Sequence, residues 1–238
     1  DPASNFDGTA DVFIAKGKIV GVGATPPGFE ANATIDATGC NIGVYYDYNY
    51  VGMAELQNVE IYGANYFGVL VNGDAGDVEV NIKNSSIHNI GEVPFNGAQH
   101  GVAVYYMAMN EFSATGIIDG STIYSYQKNG ITVNGPGANV IVTDNVVTGE
   151  GRIDYIAQNG IQFGWEAMGR IAGNEVSGNY YDNCEGPGKS TCLWVSAGIL
   201  LYDVNPLLYR GIALNASNDL FDNQSGSAAN SNARLLAT

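Results

Sequence analysis

Charge is scarce in this chain. Charged residues make up 14% of its 238 residues, against a usual ~25%. The charge that exists is mostly of one sign: 24 acids against 9 bases, a net charge of −15. That field repels a phosphate backbone and no basic stripe offsets it, so nucleic acid is not an expected partner. Histidine occurs twice and cysteine three times, with no CxxC or paired Cys/His metal spacing. No run of 18 apolar residues occurs, so no membrane span is expected. Sustained helical periodicity with caps is also missing, which points to an all-β chain. The chain opens at Asp1 without a signal-like segment, which reads as a processed or trimmed N-terminus.

What is abundant points the same way. Apolar residues reach 45%, with 15 Tyr, 8 Phe and 2 Trp, enough to build a core and to argue against disorder. Glycine is plentiful, 32 of 238 residues, as in a protein with many turns. Cys184 and Cys192 flank the hydrophilic stretch Glu185 to Thr191. That spacing suits a loop-closing disulfide in an oxidising compartment, the alternative being two free thiols. Cys40 has apolar flanks and is expected to be buried.

The most informative feature is an internal repeat. A turn residue, a Gly and an alternating apolar strand recur: Ile42-Gly43-Val44-Tyr45-Tyr46, Phe67-Gly68-Val69-Leu70-Val71, His100-Gly101-Val102-Ala103-Val104, Asn129-Gly130-Ile131-Thr132-Val133, Asn159-Gly160-Ile161-Gln162-Phe163 and Ala197-Gly198-Ile199-Leu200-Leu201. The glycines lie 25, 33, 29, 30 and 38 residues apart, a constant unit with variable connections. Between them sits a second unit: Ser85-Ser86-Ile87-His88, Ser121-Thr122-Ile123-Tyr124, Asn145-Val146-Val147-Thr148, Asn174-Glu175-Val176-Ser177 and Asn218-Asp219-Leu220-Phe221. Further short strands precede it, at Val78 to Ile82, Thr115 to Ile118, Val140 to Thr143 and Arg170 to Ala172. Each period thus holds about three short strands separated by Gly, Asn, Asp or Ser turns.

Three short strands per period is how a coiled β-solenoid reads. Coils stacked ~4.8 Å apart would pair each strand with its equivalent in the next coil, and aligned Asn and Ser would form side-chain ladders. The pattern resembles the right-handed parallel β-helix family, the architecture of pectate lyases and many secreted carbohydrate-active proteins. The resemblance implies a single-domain all-β solenoid of about six coils over residues 35–223. Residues 1–34 are expected to form an N-terminal cap with a hairpin over Asp11 to Gly23, and residues 224–238 a loose tail. The opening also resembles the N-terminal strands of amidohydrolases, through Asp36-Ala37-Thr38-Gly39. That barrel needs a His-x-His metal pair soon after, and this chain has only His88 and His100.

Equivalent positions of successive coils lie above one another, so side-chain columns can be read from the alignment. Gln99, Lys128 and Gln158 are expected to stack on one outer side with His100 at the upper edge, beside Gln127 and Tyr126. Loops add Glu92, Glu150, Arg152, Asp154 and Tyr155, and a neighbouring outward column holds Asn72, Tyr105, Asn134 and Tyr202. In a chain this poor in bases, a Lys inside a repeat motif is unusual. Flanked by amides, Lys128 could have a lowered pKa and act as a base.

By family resemblance, β-helix lyases and epimerases abstract a proton α to a uronate carboxylate with Lys, Arg, His or Tyr on one outer face. That implies Lys128, His100, Tyr105 and Asp154 as catalytic candidates, with Gln99, Gln127, Gln158, Arg152 and Tyr155 binding substrate. Pairing Asp154 with Glu150 or Glu166 would instead favour hydrolysis. Each has an ordinary reading beside it. His100 suits a left-handed turn position, Gln99 and Gln158 suit bonds to turn carbonyls, and Lys128 suits a surface pair with Glu150 or Asp154. His88 reads as exposed. The specific lyase and epimerase motifs of the family are absent. No cofactor is called for; calcium would draw on Asp74, Asp77 and Glu79, which read equally as solvated acids in a turn. The sequence therefore points to a secreted β-helix that binds and processes a polysaccharide, or else to a non-catalytic adhesion, surface-binding or structural module.

Overall fold

The computed structural model of the chain describes residues 14–15, 18–19, 33–50, 52–182, 194–203, 212–214, 216–229 and 234–235. The Cys184–Cys192 pairing and most of the N-terminal cap lie outside them. Among the described residues no α-helix occurs. In particular, no helix is long and apolar enough to cross a membrane.

The alternation of β-branched and polar residues produces three stacks of short parallel strands, joined in the same order in every coil. Sheet I stacks Ile42–Tyr46, Phe67–Asn72, Val102–Met107, Asn129–Asn134, Asn159–Gly164 and Ala197–Tyr202, which number the coils one to six here. Sheet II runs from Met53–Gln57 through Val78–Lys83, Ala114–Asp119, Ala138–Thr143 and Met168–Ala172 to Ile212–Leu214. Sheet III stacks Ala33–Asp36, Val59–Tyr62, Ser86–Ile90, Thr122–Tyr126, Val146–Ile153, Glu175–Tyr181 and Asp219–Phe221. This is the expected all-β solenoid of about six coils. Ile14–Ala15 pairs antiparallel with Lys18–Ile19, as a hairpin requires.

Each sheet lends one face to a continuous core. Val44, Val69, Val104, Ile131, Ile161 and Ile199 form one inward column of sheet I and are at most 2% exposed. Ile35, Ile61, Ile87, Ile123, Val147 and Val176 form the matching column of sheet III. Val and Ile stacked at one strand spacing bury one another across the coils, and none could bury its side chain within a single coil.

The turn from sheet II to sheet III is the same in successive coils. One residue adopts a left-handed conformation at Asn58, Asn84, Gly120, Asp144 and Gly173, a region that Asn, Asp and Gly tolerate. The residue after it turns inward and builds a ladder. Ser85 Oγ accepts from Val59 N at 3.2 Å, Ser121 Oγ from Ser85 N at 3.2 Å, and Asn145 Oδ1 from Ser121 N at 2.9 Å. Asn174 Oδ1 then accepts from Asn145 N at 3.0 Å, and Asn218 Oδ1 from Asn174 N at 3.0 Å. These are the Ser and Asn positions of the second sequence unit.

Three sequence expectations are corrected here. The third coil sits two residues further along than the alignment of glycines implied: Val102 pairs with Phe67 and Asn129, so Ala103, not Gly101, is level with Gly68 and Gly130. A two-residue slip keeps every side chain on its face, so the apolar pattern reads the same in both registers. Gly101 instead makes the entry turn, with φ +84°. Cys40 is exposed, because its stretch is a tight turn closed by Cys40 N donating to Ala37 O at 2.9 Å. Finally, Ser225–Ala229 are not a loose tail: they extend sheet I beside Ala197–Leu201, and Arg234–Leu235 folds back on them.

Candidate functional site

The outer face of sheet I carries a groove with a volume of about 630 Å³ that reaches from Phe67 to Ala228. Its floor consists of outward residues of coils three to five: Tyr105, Asn129, Thr132, Asn134, Asn159 and Gln162. Residues Tyr155 to Ala157, which connect sheet III to sheet I, form one wall. Trp165, Tyr181, Trp194 and Tyr202 supply further aromatic surface. Trp165 meets Tyr202 edge-on at 5.1 Å, and Phe67 meets Tyr105 at 5.4 Å.

No carboxylate lines the groove among the described residues, and Lys128 is its only cation there. That contrasts with a chain of net charge −15. Lys128 Nζ donates to Ala157 O at 2.8 Å. None of the ion pairs among the described residues includes Lys128. Removal from water, with no anion to compensate, lowers its pKa to about 8. Tyr105 lies across the floor, its hydroxyl accepting from Asn134 Nδ2 at 3.0 Å. Burial raises its pKa, outweighing that bond.

Of the residues singled out in the sequence, the groove gathers Lys128, Tyr105, Tyr155 and Gln99, together with Asn134 and Tyr202 of the outward column. The others are placed elsewhere. Gln127 and Gln158 are fully buried and do not face out as expected. Gln127 Oε1 accepts from Glu92 N and Asn96 N, both at 3.1 Å, and its Nε2 donates to Ala98 O at 2.8 Å. Gln158 Oε1 accepts from Glu150 N at 3.0 Å, while its Nε2 donates to Tyr126 O. Both amides tie the loops from sheet III to sheet I down to the coil, the ordinary role weighed for Gln158. His100 stands beside the groove, Nε2 against Glu92 Oε1 at 2.9 Å and its ring 4.2 Å from that of Tyr66. The register shift accounts for this, since His100 is not level with Asn129. Arg152 belongs to sheet III, over the Tyr180 ring at 3.8 Å and paired with Asp182 at 3.4 Å. Asp154, Glu150 and Glu166 are exposed and outside the lining.

Asp74 and Asp77 hold a neighbouring loop, accepting from Met109 N and Ser113 N. No cluster of three metal-ligating side chains occurs among the described residues. His88, expected to be exposed, is packed between the rings of Tyr62 and Tyr124 at 5.5 and 4.6 Å. Its Nε2 lies 3.1 Å from the buried carboxylate of Glu60. The groove residues missed in the sequence are the outward amides Asn129, Asn159 and Gln162 and the two indoles. The amides sit in the repeat itself and were readable as a polar column facing away from the core.

Residues 30–205 match the family described as the right-handed β-helix region. A 39-residue stretch is 51% identical to a dihydroorotase-like protein of Pseudomonas aeruginosa. It covers 16% of this chain and 9% of that protein, so the chain spans less than a tenth of that relative's length. No solved structure matches the chain. The family match covers most of the chain and coincides with the stacked three-sheet coils: the chain belongs to the right-handed β-helix family.

Proposed function

We propose that the chain binds a polysaccharide along the groove of sheet I and processes it by proton abstraction, in the manner of a lyase or epimerase acting on uronate residues outside the cell. The observation that carries this reading is the groove's chemistry: aromatic walls, an amide floor, one desolvated lysine and no carboxylate among its described residues. Aromatic faces stack on the apolar faces of sugar rings, and amides bond their hydroxyls. An acidic polymer would be repelled by most of this surface but not by this strip. Lys128 is the base. With a pKa of about 8, about a tenth of it is neutral at pH 7, and its lone pair can take the proton α to the carboxylate while its own N–H remains on Ala157. Hydrolysis by paired acids is not supported here, because Asp154, Glu150 and Glu166 stand outside the lining.

A second reading has its own observation. Lys128 is the sole cation of the described lining, and one ammonium cannot both neutralise a uronate and remove its proton. The groove would then be a non-catalytic binding site in which Lys128⁺ anchors the acid.

Uronic-acid polymers separate the two by the sign of their pH response. Base catalysis creates an ultraviolet-absorbing unsaturated uronate at a rate that rises with pH and levels off above about 9. Anchoring gives no chromophore, and affinity falls as pH rises through about 8. Epimerisation is read by a change in sugar composition. Lys128→Ala should abolish the product in the first case and weaken binding in the second. A protein that binds none of the polymers fails both.

A further inference from the structure

The groove floor contains a chain of side-chain amides whose direction is set by one backbone group. Ala197 N can only donate, and it donates to Asn159 Oδ1 at 3.1 Å. Asn159 must therefore turn its Nδ2 toward the preceding coil, where it donates to Asn129 Oδ1 at 3.1 Å. Asn129 is left with Nδ2 to give, and it donates to Thr132 Oγ1 at 2.9 Å and to Gln162 Oε1 at 3.1 Å. Gln162 Nε2 in turn donates to Asn134 Oδ1 at 3.4 Å, and Asn134 Nδ2 to the Tyr105 hydroxyl at 3.0 Å. Flipping any one amide would oppose two donors or two acceptors, so the orientation at Ala197 propagates to Tyr105.

The last oxygen in the chain accepts, which leaves its proton to point elsewhere. Among the described residues the Tyr105 hydroxyl donates to no acceptor, and the residue lines the groove. The pairing recurs two coils earlier. There Asn72 Nδ2 donates to the Tyr45 hydroxyl at 3.1 Å, and Asp74 N fixes the amide by donating to Asn72 Oδ1 at 3.0 Å.

We infer that Tyr105 is held as a hydrogen-bond donor to an oxygen of the bound glycan, and that Asn134 is the positioning residue that holds it so. The inference rests on the groove being a glycan site. It assigns Tyr105 the giving of a proton in a hydrogen bond and withholds from it the part of base. Burial supports the same assignment by disfavouring the phenolate.

Asn134→Asp tests this with almost no change of shape. The carboxylate can only accept, so the phenol must donate back to it and turn its proton away from the groove. In protein carrying tyrosine labelled at the ring carbon bearing oxygen, Tyr105 is assigned by its loss in Tyr105→Phe. Its hydroxyl proton should exchange too fast to be seen in the ligand-free wild type and become a protected, downfield resonance in Asn134→Asp. Gln162→Glu should do the same without touching Tyr105, because its carboxylate forces Asn134 to flip; this variant decides the matter if the first does not fold. A hydroxyl proton already protected in the wild type, or unchanged in the folded variants, overturns the inference.

With oligogalacturonate, oligoglucuronate and oligomannuronate as probes, Tyr105→Phe and Asn134→Leu, which adds no charge against these polyanions, should each weaken binding about tenfold, the size of one hydrogen bond. The double variant should be no weaker than either single one; additive losses would show that Asn134 acts on its own. If the wild type binds none of the probes while the hydroxyl proton behaves as described, the relay stands and the glycan reading falls.

Discussion

At the scale of single residues, Lys128 carries the sharpest consequences. Its ammonium is charged in both the folded and the unfolded chain below about pH 8, and folding then bears the cost of removing it from water. Between about 8 and the ordinary value of 10.5 the folded state releases its proton first, so wild-type stability gains with pH over that window. Replacing Lys128 by Met should therefore raise the melting temperature at pH 7, and the advantage should shrink toward pH 10, as read by thermal melts at both values. An advantage that does not depend on pH would point to packing alone. This residue was legible in the sequence because a rare cation inside a repeat cannot lie far from the coil surface. Gln127 and Gln158 were not, since an amide at a turn serves a loop N–H or a ligand equally well. Only the positions of Glu92, Asn96 and Glu150 decide between the two. His88 misled for a related reason. Its strand position faces outward, but its neighbours in the column are two tyrosines that close over it.

At the scale of the elements, the ladder beside sheet III should be the most sensitive polar feature. Asn174 accepts from Asn145 N and donates to Val142 O at 2.9 Å. Asn174→Ala leaves both buried groups without that partner and should cost roughly 2–4 kcal/mol in chemical denaturation. Asn174→Ser should cost less, because Ser121 and Ser85 serve the corresponding N–H groups in earlier coils. Equal losses for the two variants would mean that the ladder contributes little beyond filling space. The strands and this ladder were readable from spacing alone, since the second sequence unit carries its own register in the Ser/Asn position. The first unit did not: glycine marks both the repeat position and the entry turn. At the repeat position it is required where a Cβ on Gly130 would lie 2.6 Å from Val147 Cγ1 and 2.7 Å from Gly160 O. Coil three accepts Ala103 there, which is why counting glycines chose the wrong one.

Across the whole molecule, stability is a sum over interfaces between neighbouring coils rather than a property of one central core. Coils three to five are stacked on both sides, whereas among the described residues Ile42–Tyr46 of the first coil pairs only with the second. Amide exchange should therefore be slowest at Val104, Ile131 and Ile161 and faster at Val44, by a margin that a global two-state opening would erase. The groove lies over the same central coils, so its floor should share their slow exchange, while its wall at Tyr155–Ala157 is a connection. This division explains why fold and site were unequally legible. Strand stacking follows from a repeated pattern along the chain. The groove depends on the outward residues and on connections whose lengths differ from coil to coil.

The direction of the turn ladder bears on how such a chain is made and how it can change. Val59, Ser85, Ser121, Asn145 and Asn174 each have their N–H satisfied by a side chain from the following coil. A chain leaving the ribosome from its N-terminus therefore always has its newest turn open, and each arriving coil closes its predecessor and exposes a fresh N–H. For the same reason a gene can gain or lose one whole period without disturbing the junction, because the inserted coil brings an acceptor for the turn before it and a donor for the turn after it. Insertions of half a period have no such freedom, and length variation in this lineage is expected to come in whole coils.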